Sequence, residues 1–203
     1  VLWSTVEKTA LADAEVEYKD HTSNTIYVAF KVKETDKEYL KDSSIIIWTT
    51  TPWTIPANKA LAFNNNIDYS VLEIEHLEHF KEKRIVVAKN LVKEITKACD
   101  IKTYKEIKTF KGSEFKKTIC SHPLANMKFD YDVPMLDAQF VNLEQGTGIV
   151  HCAPSHGPDD FNLCLKNNIP SLYTVDNGGL YTKEIPYFEN IHIFKADPIV
   201  IEK

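Results

Sequence analysis

The apolar run SSIIIWTT at 43–50 places the strongest constraint on how this chain can fold. Its three consecutive isoleucines are β-branched, and such a run suits a strand that is buried on both faces. A strand at the edge of a sheet, or one with a face in water, would instead alternate apolar and polar residues. The segment is therefore predicted to be a central strand, with further strands on both sides.

Other segments of the chain have the patterns of such neighbouring strands. AEVEYKD and NTIYVAFKVKE alternate apolar and polar residues around the turn-prone HTSN, which predicts a hairpin over 14–34. Strands are also predicted at 68–75, 83–88 and 102–110, the last followed by a turn at 111–115, and two more lie within 135–154, joined through EQGTG. Apolar residues at helical spacing predict a helix at 89–100. A second helix is predicted at 157–168, with Pro158 in its first turn and acidic residues beside it.

Many short strands with two or three helices predict a mainly β, α+β fold, with a closed or nearly closed β-barrel decorated by peripheral helices. The sequence lacks the strand–helix alternation of a nucleotide-binding sheet, and it also lacks a P-loop and a GxGxxG motif. GTG at 146–148 is predicted to be a tight turn and not a phosphate cradle. The 203 residues suit a single domain. We expect its ends, 1–12 and 195–203, to be junctions to a longer polypeptide.

Charge and composition exclude several classes of protein. A net charge of −5 argues against a freestanding nucleic-acid-binding protein, which would carry a basic patch. No apolar run approaches the ~20 residues that cross a bilayer, and charges interrupt the first segment too often for a signal peptide. We therefore expect a cytoplasmic protein without a membrane partner.

The cysteine pattern predicts reduced thiols and no metal site. The four cysteines form no CxxC pair. His151 and Cys152 are adjacent in a predicted strand, so their side chains should point to opposite faces and cannot share a metal ion.

The segment WTTTPWTIPANK at 48–59 is the first candidate site. Along a strand, Thr49 and Thr51 face one side and Thr50 the other, so one face gains two hydroxyls where a buried strand would carry methyl groups. Two prolines then form a stiff connection to Asn58. Hydroxyls donate and accept hydrogen bonds, which suits the orientation of a polar ligand and a water molecule. A purely structural strand end remains the alternative.

The segment GTGIVHCAPSHGPDDF at 146–161 is the second candidate site. His151 ends a predicted strand, where it could be either a functional group or a core histidine with satisfied hydrogen bonds. Asp159 and Asp160 lie in the first turn of a predicted helix, beside Pro158. One carboxylate could complement the helix dipole while the other faces a cleft and binds an ammonium group.

Together these two segments resemble the inserted editing domain, or connective polypeptide 1, of the isoleucyl-tRNA synthetases, which are class I aminoacyl-tRNA synthetases. The resemblance also includes VLWSTVEKTALADAEVEY and FKGSEFKKTICSHPL, so it covers nearly the whole chain. The valyl and leucyl enzymes share the barrel, but their threonine segment is closer to TTRP and they lack a histidine at position 151. HIGH-type and KMSKS-type motifs are absent. ATP, Mg²⁺ and Zn²⁺ are therefore expected to belong to the rest of the full-length enzyme, and no cofactor is expected in this domain.

The resemblance implies post-transfer editing: hydrolysis of the ester of valyl-tRNA(Ile) while isoleucyl-tRNA(Ile) is spared. Asp160 would pair with the α-ammonium group of the amino acid, and His151 would exclude the additional methylene of isoleucine. General-base catalysis by His151 is the alternative. The implied catalytic residues are Thr49, Thr50, Thr51, Asn58 and Asp160, and the implied substrate-binding residues are Trp48, Trp53, Thr54, His151 and Asp160.

The implied partners are the 3′ CCA end of tRNA(Ile) carrying valine, and the catalytic and anticodon-binding domains of the same polypeptide. The isolated domain is expected to be a monomer that binds RNA weakly, because phosphate contacts dominate such affinity and this chain is acidic. Three alternatives remain at the level of sequence: a non-catalytic docking module for the CCA end, the editing domain of a valyl or leucyl enzyme, and a freestanding editing protein.

Overall fold

The computed structural model describes residues 2–75, 80 and 83–203, and in that part it contains eleven strands and three α-helices. The strands are β1 (Trp3–Ser4), β2 (Thr9–Ala10), β3 (Ile26–Glu34), β4 (Ser44–Thr49), β5 (Ala60–Phe63), β6 (Asp68–Ile74), β7 (Arg84–Ala88), β8 (Tyr104–Lys111), β9 (Ile119–Ser121), β10 (Asp132–Asp137) and β11 (Val150–Cys152). The helices are α1 (Val92–Ala98), α2 (Pro158–Lys166) and α3 (Ile193–Ile201).

Nine strands form one mixed sheet in the order β11-β5-β10-β9-β3-β4-β7-β6-β8, and β1 and β2 form a separate ribbon. Strand β4 pairs antiparallel with β3 and parallel with β7. Its three isoleucines, Ile45, Ile46 and Ile47, are buried. The prediction that 43–50 contains a central strand is therefore confirmed.

The sheet curls into a nearly closed barrel. Edge strand β11 stands five places from β4 in the sheet order, yet the two strands lie against each other. At the end of β7, the Ala88 N–H donates to the Thr147 carbonyl at 2.8 Å, which ties the segment before β11 to the same wall. This is the barrel that the sequence predicted, and its closure brings the ends of β4 and β11 together.

The core has two parts. The main cluster fills the curled sheet with branched and aromatic side chains such as Phe30, Phe63 and Tyr69. A smaller cluster lies beneath α2, where Cys152 and Cys164 pack among alanines. All four cysteines are free thiols.

Helix α3 packs against the 3₁₀ helix Pro52–Ala57, which follows β4. Its buried side chains are Ala196 and Val200, and both belong to the main core cluster. Helix α1 was predicted from apolar spacing and α2 from Pro158 and the acidic residues at its start, and both predictions are confirmed. In the described residues, no helix is long and apolar enough to cross a membrane.

The predicted hairpin over 14–34 is wrong in its first half. Residues 16–25 have neither helix nor strand, and 17–25 are exposed. Strand β3 forms as predicted, but it pairs with β4 on one side and with β9 on the other. Both edges of β3 are therefore occupied, and the alternating segment 14–20 cannot pair with it as the predicted hairpin requires.

The two strands predicted around EQGTG form, as β10 and β11, but they do not pair with each other. Both pair with β5, which runs parallel to β10 and antiparallel to β11. Strand β5 was not predicted, since its sequence ALAF contains two alanines, which are depleted in strands. The GTG turn is confirmed: Gly146 and Gly148 have φ of +81° and +73°, a left-handed conformation that glycine adopts without strain.

Replacing Tyr69 by Phe should lower the free energy of unfolding by about 1–3 kcal/mol, because it leaves one buried and one partly buried backbone group without their partner. The Tyr69 hydroxyl donates to the Gly148 carbonyl at 2.8 Å and accepts the Asn64 N–H at 3.0 Å. Urea unfolding measures the change. Tyr104→Phe on the exposed face of β8 is the matched control. Equal effects of the two substitutions would contradict the proposed tie between β6 and the GTG turn.

Candidate active site

A cleft of about 200 Å³ lies where the end of β4 and the segment after it face β11 and the first turn of α2. Both segments that the sequence singled out, 48–59 and 146–161, contribute to it. Barrel closure therefore joins groups that are about a hundred residues apart in the chain. The lining residues are Trp48, Thr49, Thr51, Thr54, Val150, His151, Ala153, His156 and Asp160.

The threonine segment turns two of its three hydroxyls toward the cleft. The Oγ1 atoms of Thr49 and Thr51 are 3.3 Å apart, and the Thr51 N–H donates to Thr49 Oγ1 at 3.1 Å. Thr50 is exposed and does not line the cleft. The sequence predicted this division from the strand period, but β4 ends at Thr49, so Thr50 and Thr51 reach their places in the segment beyond the strand. Thr50 is thereby separated from Thr49 and Thr51.

The 3₁₀ helix that begins at Pro52 brings Thr54 back toward Thr51. The Thr54 N–H and the Thr54 hydroxyl both donate to the Thr51 carbonyl, at 3.0 and 2.9 Å. The hydroxyl oxygen therefore still has its lone pairs free for a further donor. That donor comes from β11.

His151 joins β11 to the threonine segment. In β11 it lies opposite Leu61 of β5, and its neighbour Cys152 points the other way, into the small core under α2. The His151 ring is bonded at both nitrogens: Nε2 lies 2.9 Å from Thr54 Oγ1, and Nδ1 lies 2.8 Å from Asn58 Nδ2. The residue is 9% exposed and lines the cleft, so it is almost entirely enclosed by the protein.

The hydrogen-bond partners determine which nitrogen of His151 carries the proton. Asn58 Nδ2 also lies 2.9 Å from the Ala60 carbonyl, which can only accept. The atom between these two partners must therefore be the amide nitrogen, and it donates to Nδ1. The proton of the neutral ring is then on Nε2, which donates to Thr54 Oγ1.

His151 is therefore a neutral ring without a free acceptor. Burial, and to a smaller extent the nearby His122 and His156, together lower its pKa to about 3. The one lone pair of the neutral ring, on Nδ1, already accepts the Asn58 amide. A ring in this state is poorly placed to take a proton from water, so the geometry favours a steric or orienting role.

Asp160 supplies a carboxylate on the other side of the cleft. It is the third residue of α2, and its Oδ2 accepts the Ala153 N–H at 2.9 Å. Burial raises its pKa, and it is not part of a salt bridge among the residues that the structure describes. Asp159, the preceding residue, is exposed. The helix thus exposes one acidic side chain to solvent and turns the other toward the cleft.

The remaining implied residues lie behind the cleft wall. Asn58 is fully buried and acts on the cleft through His151. Trp53 does not line the cleft, but its ring packs edge-to-face on His156, with centroids 4.8 Å apart. His156, whose pKa burial lowers to about 4, also bonds Thr174 through Nε2 at 3.0 Å.

Sequence reasoning did not assign three of the lining residues, Val150, Ala153 and His156, to the site. His156 lies in the same motif as His151, but its sequence context shows no strand period that would orient the ring. Its place in the cleft follows from the loop that connects β11 to α2. Val150 is half-exposed at the start of β11, where an apolar side chain has no distinguishing pattern.

The geometry of the described residues favours neither a cysteine nucleophile nor a metal site in the cleft. Burial raises the pKa of Cys152 well above its usual value, and the nearby Asp160 carboxylate raises it further. The thiol therefore stays protonated and is a poor nucleophile. Within residues 2–75, 80 and 83–203, no three His, Cys, Asp or Glu side chains are grouped to hold a metal ion.

Comparison with protein families finds a match over residues 22–192 to the family model described as "Leucyl-tRNA synthetase, editing domain". Curated relatives are isoleucine–tRNA ligases. That of Pelagibacter ubique (strain HTCC1062) is 66% identical over 203 residues, which is 100% of this chain and 22% of the relative. That of Gluconobacter oxydans (strain 621H) is 43% identical over 206 residues, 98% of this chain and 22% of the relative. The chain thus spans about a fifth of the length of these relatives.

Solved structures share the fold at low sequence identity. The crystal structure of GlLeuRS-CP1 matches with a TM-score of 0.61 at 13% identity, over 87% of this chain and 94% of that one. The P. knowlesi cytosolic leucyl-tRNA synthetase editing domain matches with a TM-score of 0.61 at 10% identity, over 92% and 96%. These matches concern the barrel and its helices, not the residues of the cleft.

Replacing His151 by Gln should make the free energy of unfolding less dependent on pH below about 6.5. In the wild type, the unfolded chain protonates this ring as the pH falls below 6.5, while the folded chain keeps it neutral down to about pH 3. The wild type therefore loses stability as the pH falls through this window, by at most about 1.4 kcal/mol per pH unit from one ring. Glutamine does not titrate, so the variant lacks this contribution.

Urea unfolding at several pH values between about 8 and about 4 measures the effect, as the difference between the two curves. The curves should run parallel above about pH 7 and converge below it. Carboxylates titrate alike in both proteins and cancel in the difference. Curves that stay parallel down to about pH 4 would show that His151 is protonated in the folded protein, which contradicts the assigned hydrogen bonds.

Proposed function

We propose that this chain, which belongs to the editing-domain family of the class I aminoacyl-tRNA synthetases and is of the isoleucyl type, hydrolyses the ester of valyl-tRNA(Ile) and spares isoleucyl-tRNA(Ile). One observation carries the proposal. A neutral His151 ring, immobilised at both nitrogens, faces the Asp160 carboxylate across a cleft that also holds two threonine hydroxyls.

The proposed hydrolysis corrects errors that arise because an apolar pocket discriminates poorly between side chains that differ by one methylene. Isoleucine and valine differ by one methylene, which is worth only ~1–3 kcal/mol in an apolar pocket, and the isoleucyl enzyme is itself the standard illustration of this limit. A synthetic site that must accept isoleucine therefore also accepts some valine. A second site that admits valine and excludes the larger side chain removes the error.

Asp160 is proposed to bind the α-ammonium group of the amino acid. Charge-assisted hydrogen bonds between a carboxylate and an ammonium group are short and strong, and they orient the ligand. Because Ala153 already holds Oδ2, the carboxylate is fixed before the ligand arrives. This contact would restrict the site to aminoacyl esters and exclude esters that lack the ammonium group.

His151 is proposed to form the wall that excludes isoleucine. A ring that is bonded at Nδ1 to Asn58 and at Nε2 to Thr54 cannot turn away without breaking two buried hydrogen bonds. A methylene that overlaps this ring would therefore displace the ester from its reactive position. Valine, which is one methylene smaller, would leave the ring in place.

The chemical step is proposed to rely on positioning. The oxygen of a water molecule bonds to the ester carbonyl carbon, and the bond from that carbon to the ribose oxygen breaks. The ribose oxygen takes up a proton of the water, so the products are free valine and tRNA with its hydroxyl restored. Thr49 and Thr51 hydroxyls, which both donate and accept, would orient the water, the ester and the terminal ribose. An aminoacyl ester is already labile, and orientation of its reactants accounts for large rate gains.

The proposed partners are the CCA end of tRNA(Ile) carrying valine and the other domains of a full-length synthetase, in the cytoplasm. A net charge of −5 means that most phosphate contacts would come from those other domains. We propose that ATP and metal ions act in the synthetic part of the enzyme and that this cleft works without a cofactor.

Asp160→Asn should reduce hydrolysis of valyl-tRNA(Ile) by about a hundredfold, because asparagine can still accept the Ala153 N–H but carries no charge for the ammonium group. The measurement is release of labelled valine at high concentration of the 203-residue chain, with isoleucyl-tRNA(Ile) in parallel. The wild type should cleave only the valyl ester.

Asp159→Asn is the matched control, since it removes the same charge from the exposed neighbouring position, and it should retain wild-type activity. Full activity of Asp160→Asn would refute the ammonium contact. If the wild type binds a valine-bearing acceptor-stem mimic but never cleaves it, the chain is a docking module and the proposed hydrolysis is wrong.

His151→Ala should allow the chain to cleave isoleucyl-tRNA(Ile), because removal of the ring opens room for the additional methylene. The expected change is a loss of about tenfold or more in the preference for valine, the range that one methylene supports. Rates for the two esters, measured with the same enzyme preparation, give this preference directly. An unchanged preference for valine would refute the steric wall. If His151→Ala lost hydrolysis of both esters while His151→Gln retained it, the result would still support a positioning role of His151 over proton transfer.

A further inference from the structure

The backbone of Trp53 is held on both sides, at its N–H and at its carbonyl, by side chains from the C-terminal part of the chain. We call Asp197 and Tyr181, which make these two bonds, the Trp53 clamp. The Trp53 N–H donates to Asp197 Oδ1 at 2.9 Å, and the Trp53 carbonyl accepts the Tyr181 hydroxyl. These partners are 144 and 128 residues away in sequence. An N–H near the start of a helix has no partner within it, and the residue three places after Trp53 is Pro56, which has no N–H to donate to the Trp53 carbonyl. Side chains from distant parts of the chain bond both groups instead.

The packing around both side chains makes this clamp rigid. Asp197 lies in α3 between the buried residues Ala196 and Val200, which dock the helix on the 3₁₀ helix that contains Trp53. Tyr181 is 1% exposed, and burial raises its pKa, so its hydroxyl remains a donor. The His156 ring contacts the Trp53 side chain from the cleft side.

The clamp lies one residue from the groups that hold His151. Trp53 stands between Thr51, whose carbonyl accepts two bonds from Thr54, and Thr54 itself. Thr54 Oγ1 in turn accepts the Nε2–H of His151. A shift of the Trp53 peptide would therefore move Thr54 and remove one of the two bonds that hold the ring.

We propose that Asp197 and Tyr181 are positioning residues of the editing cleft, which act through Trp53 and Thr54 on the placement of the His151 ring. The inference rests on the proposed function. It adds a part of the chain that lies outside both site segments. Since discrimination depends on the position of the ring to within a methylene, loss of the clamp weakens selectivity as well as rate.

The test compares Asp197→Ala with Asp197→Asn, which keeps an oxygen that can accept the Trp53 N–H. In Asp197→Ala we expect hydrolysis of valyl-tRNA(Ile) to fall by about tenfold to a hundredfold, as small misplacements of reacting groups do elsewhere. The ratio of valyl to isoleucyl hydrolysis should fall too. Asp197→Asn should restore both values to near wild type.

The ratio separates positioning from a loss of folded protein. Partial unfolding lowers both rates by one factor and leaves their ratio unchanged, whereas a displaced ring changes it. Tyr181→Phe should shift the ratio in the same direction, and Tyr187→Phe, at a nearby exposed position, should leave both rates unchanged. A wild-type ratio in Asp197→Ala, or no difference between the Ala and Asn variants, would overturn the inference.

Hydrogen exchange at the Trp53 amide distinguishes failure of this inference from failure of the proposed function. Exchange should be faster in Asp197→Ala than in the wild type and protected again in Asp197→Asn. If the wild-type chain cleaves neither ester, the proposed function fails, and the exchange result still decides whether Asp197 holds the peptide. Unchanged exchange in Asp197→Ala would overturn the clamp whatever the activities are.

Discussion

The two hydrogen bonds of the His151 ring are the interaction on which the rest of the cleft depends. They join the middle of β11 to Thr54 and Asn58, two residues of the segment after β4. Such a junction is possible only because the sheet curls until its edge strand reaches its centre. Closure of the barrel therefore brings the segments 48–59 and 146–161 within hydrogen-bonding distance, and the His151 ring bonds them together.

The two hydrogen bonds of the His151 ring have a chemical consequence. Burial keeps the ring neutral, and its single lone pair accepts the Asn58 amide. The ring therefore acts as a fixed surface and not as a proton acceptor. The carboxylate of Asp160 and the hydroxyls of Thr49 and Thr51 are likewise held by neighbouring backbone or side-chain groups. A cleft built this way is suited to holding a labile ester and a water molecule in one arrangement, since orientation alone provides much of the rate.

Local sequence patterns were sufficient to predict an element where the spacing of apolar residues, or a residue typical of a helix start, matches the observed structure. The isoleucine run of β4, the apolar spacing of α1, and Pro158 at the start of α2 each indicated the observed element. They failed where the outcome depended on competition for partners: 14–20 has a strand pattern, but β4 and β9 already occupy both edges of β3. Helix α3 was not predicted because Pro198, which disfavours helix interiors, lies within it.

The sequence by itself determined the chemical groups of the cleft. It predicted that Thr49 and Thr51 share a face from which Thr50 is excluded, although β4 ends at Thr49 and the segment beyond it produces that arrangement. It also determined that His151 and Cys152 point apart. Only the tertiary structure decided what those groups do: that Asn58 lies behind His151, that His156 enters the cleft, and that Asp197 holds Trp53. The physical reason is that side-chain direction follows from local backbone geometry, whereas hydrogen-bond partners, burial and protonation depend on segments far apart in sequence that meet only when the sheet closes.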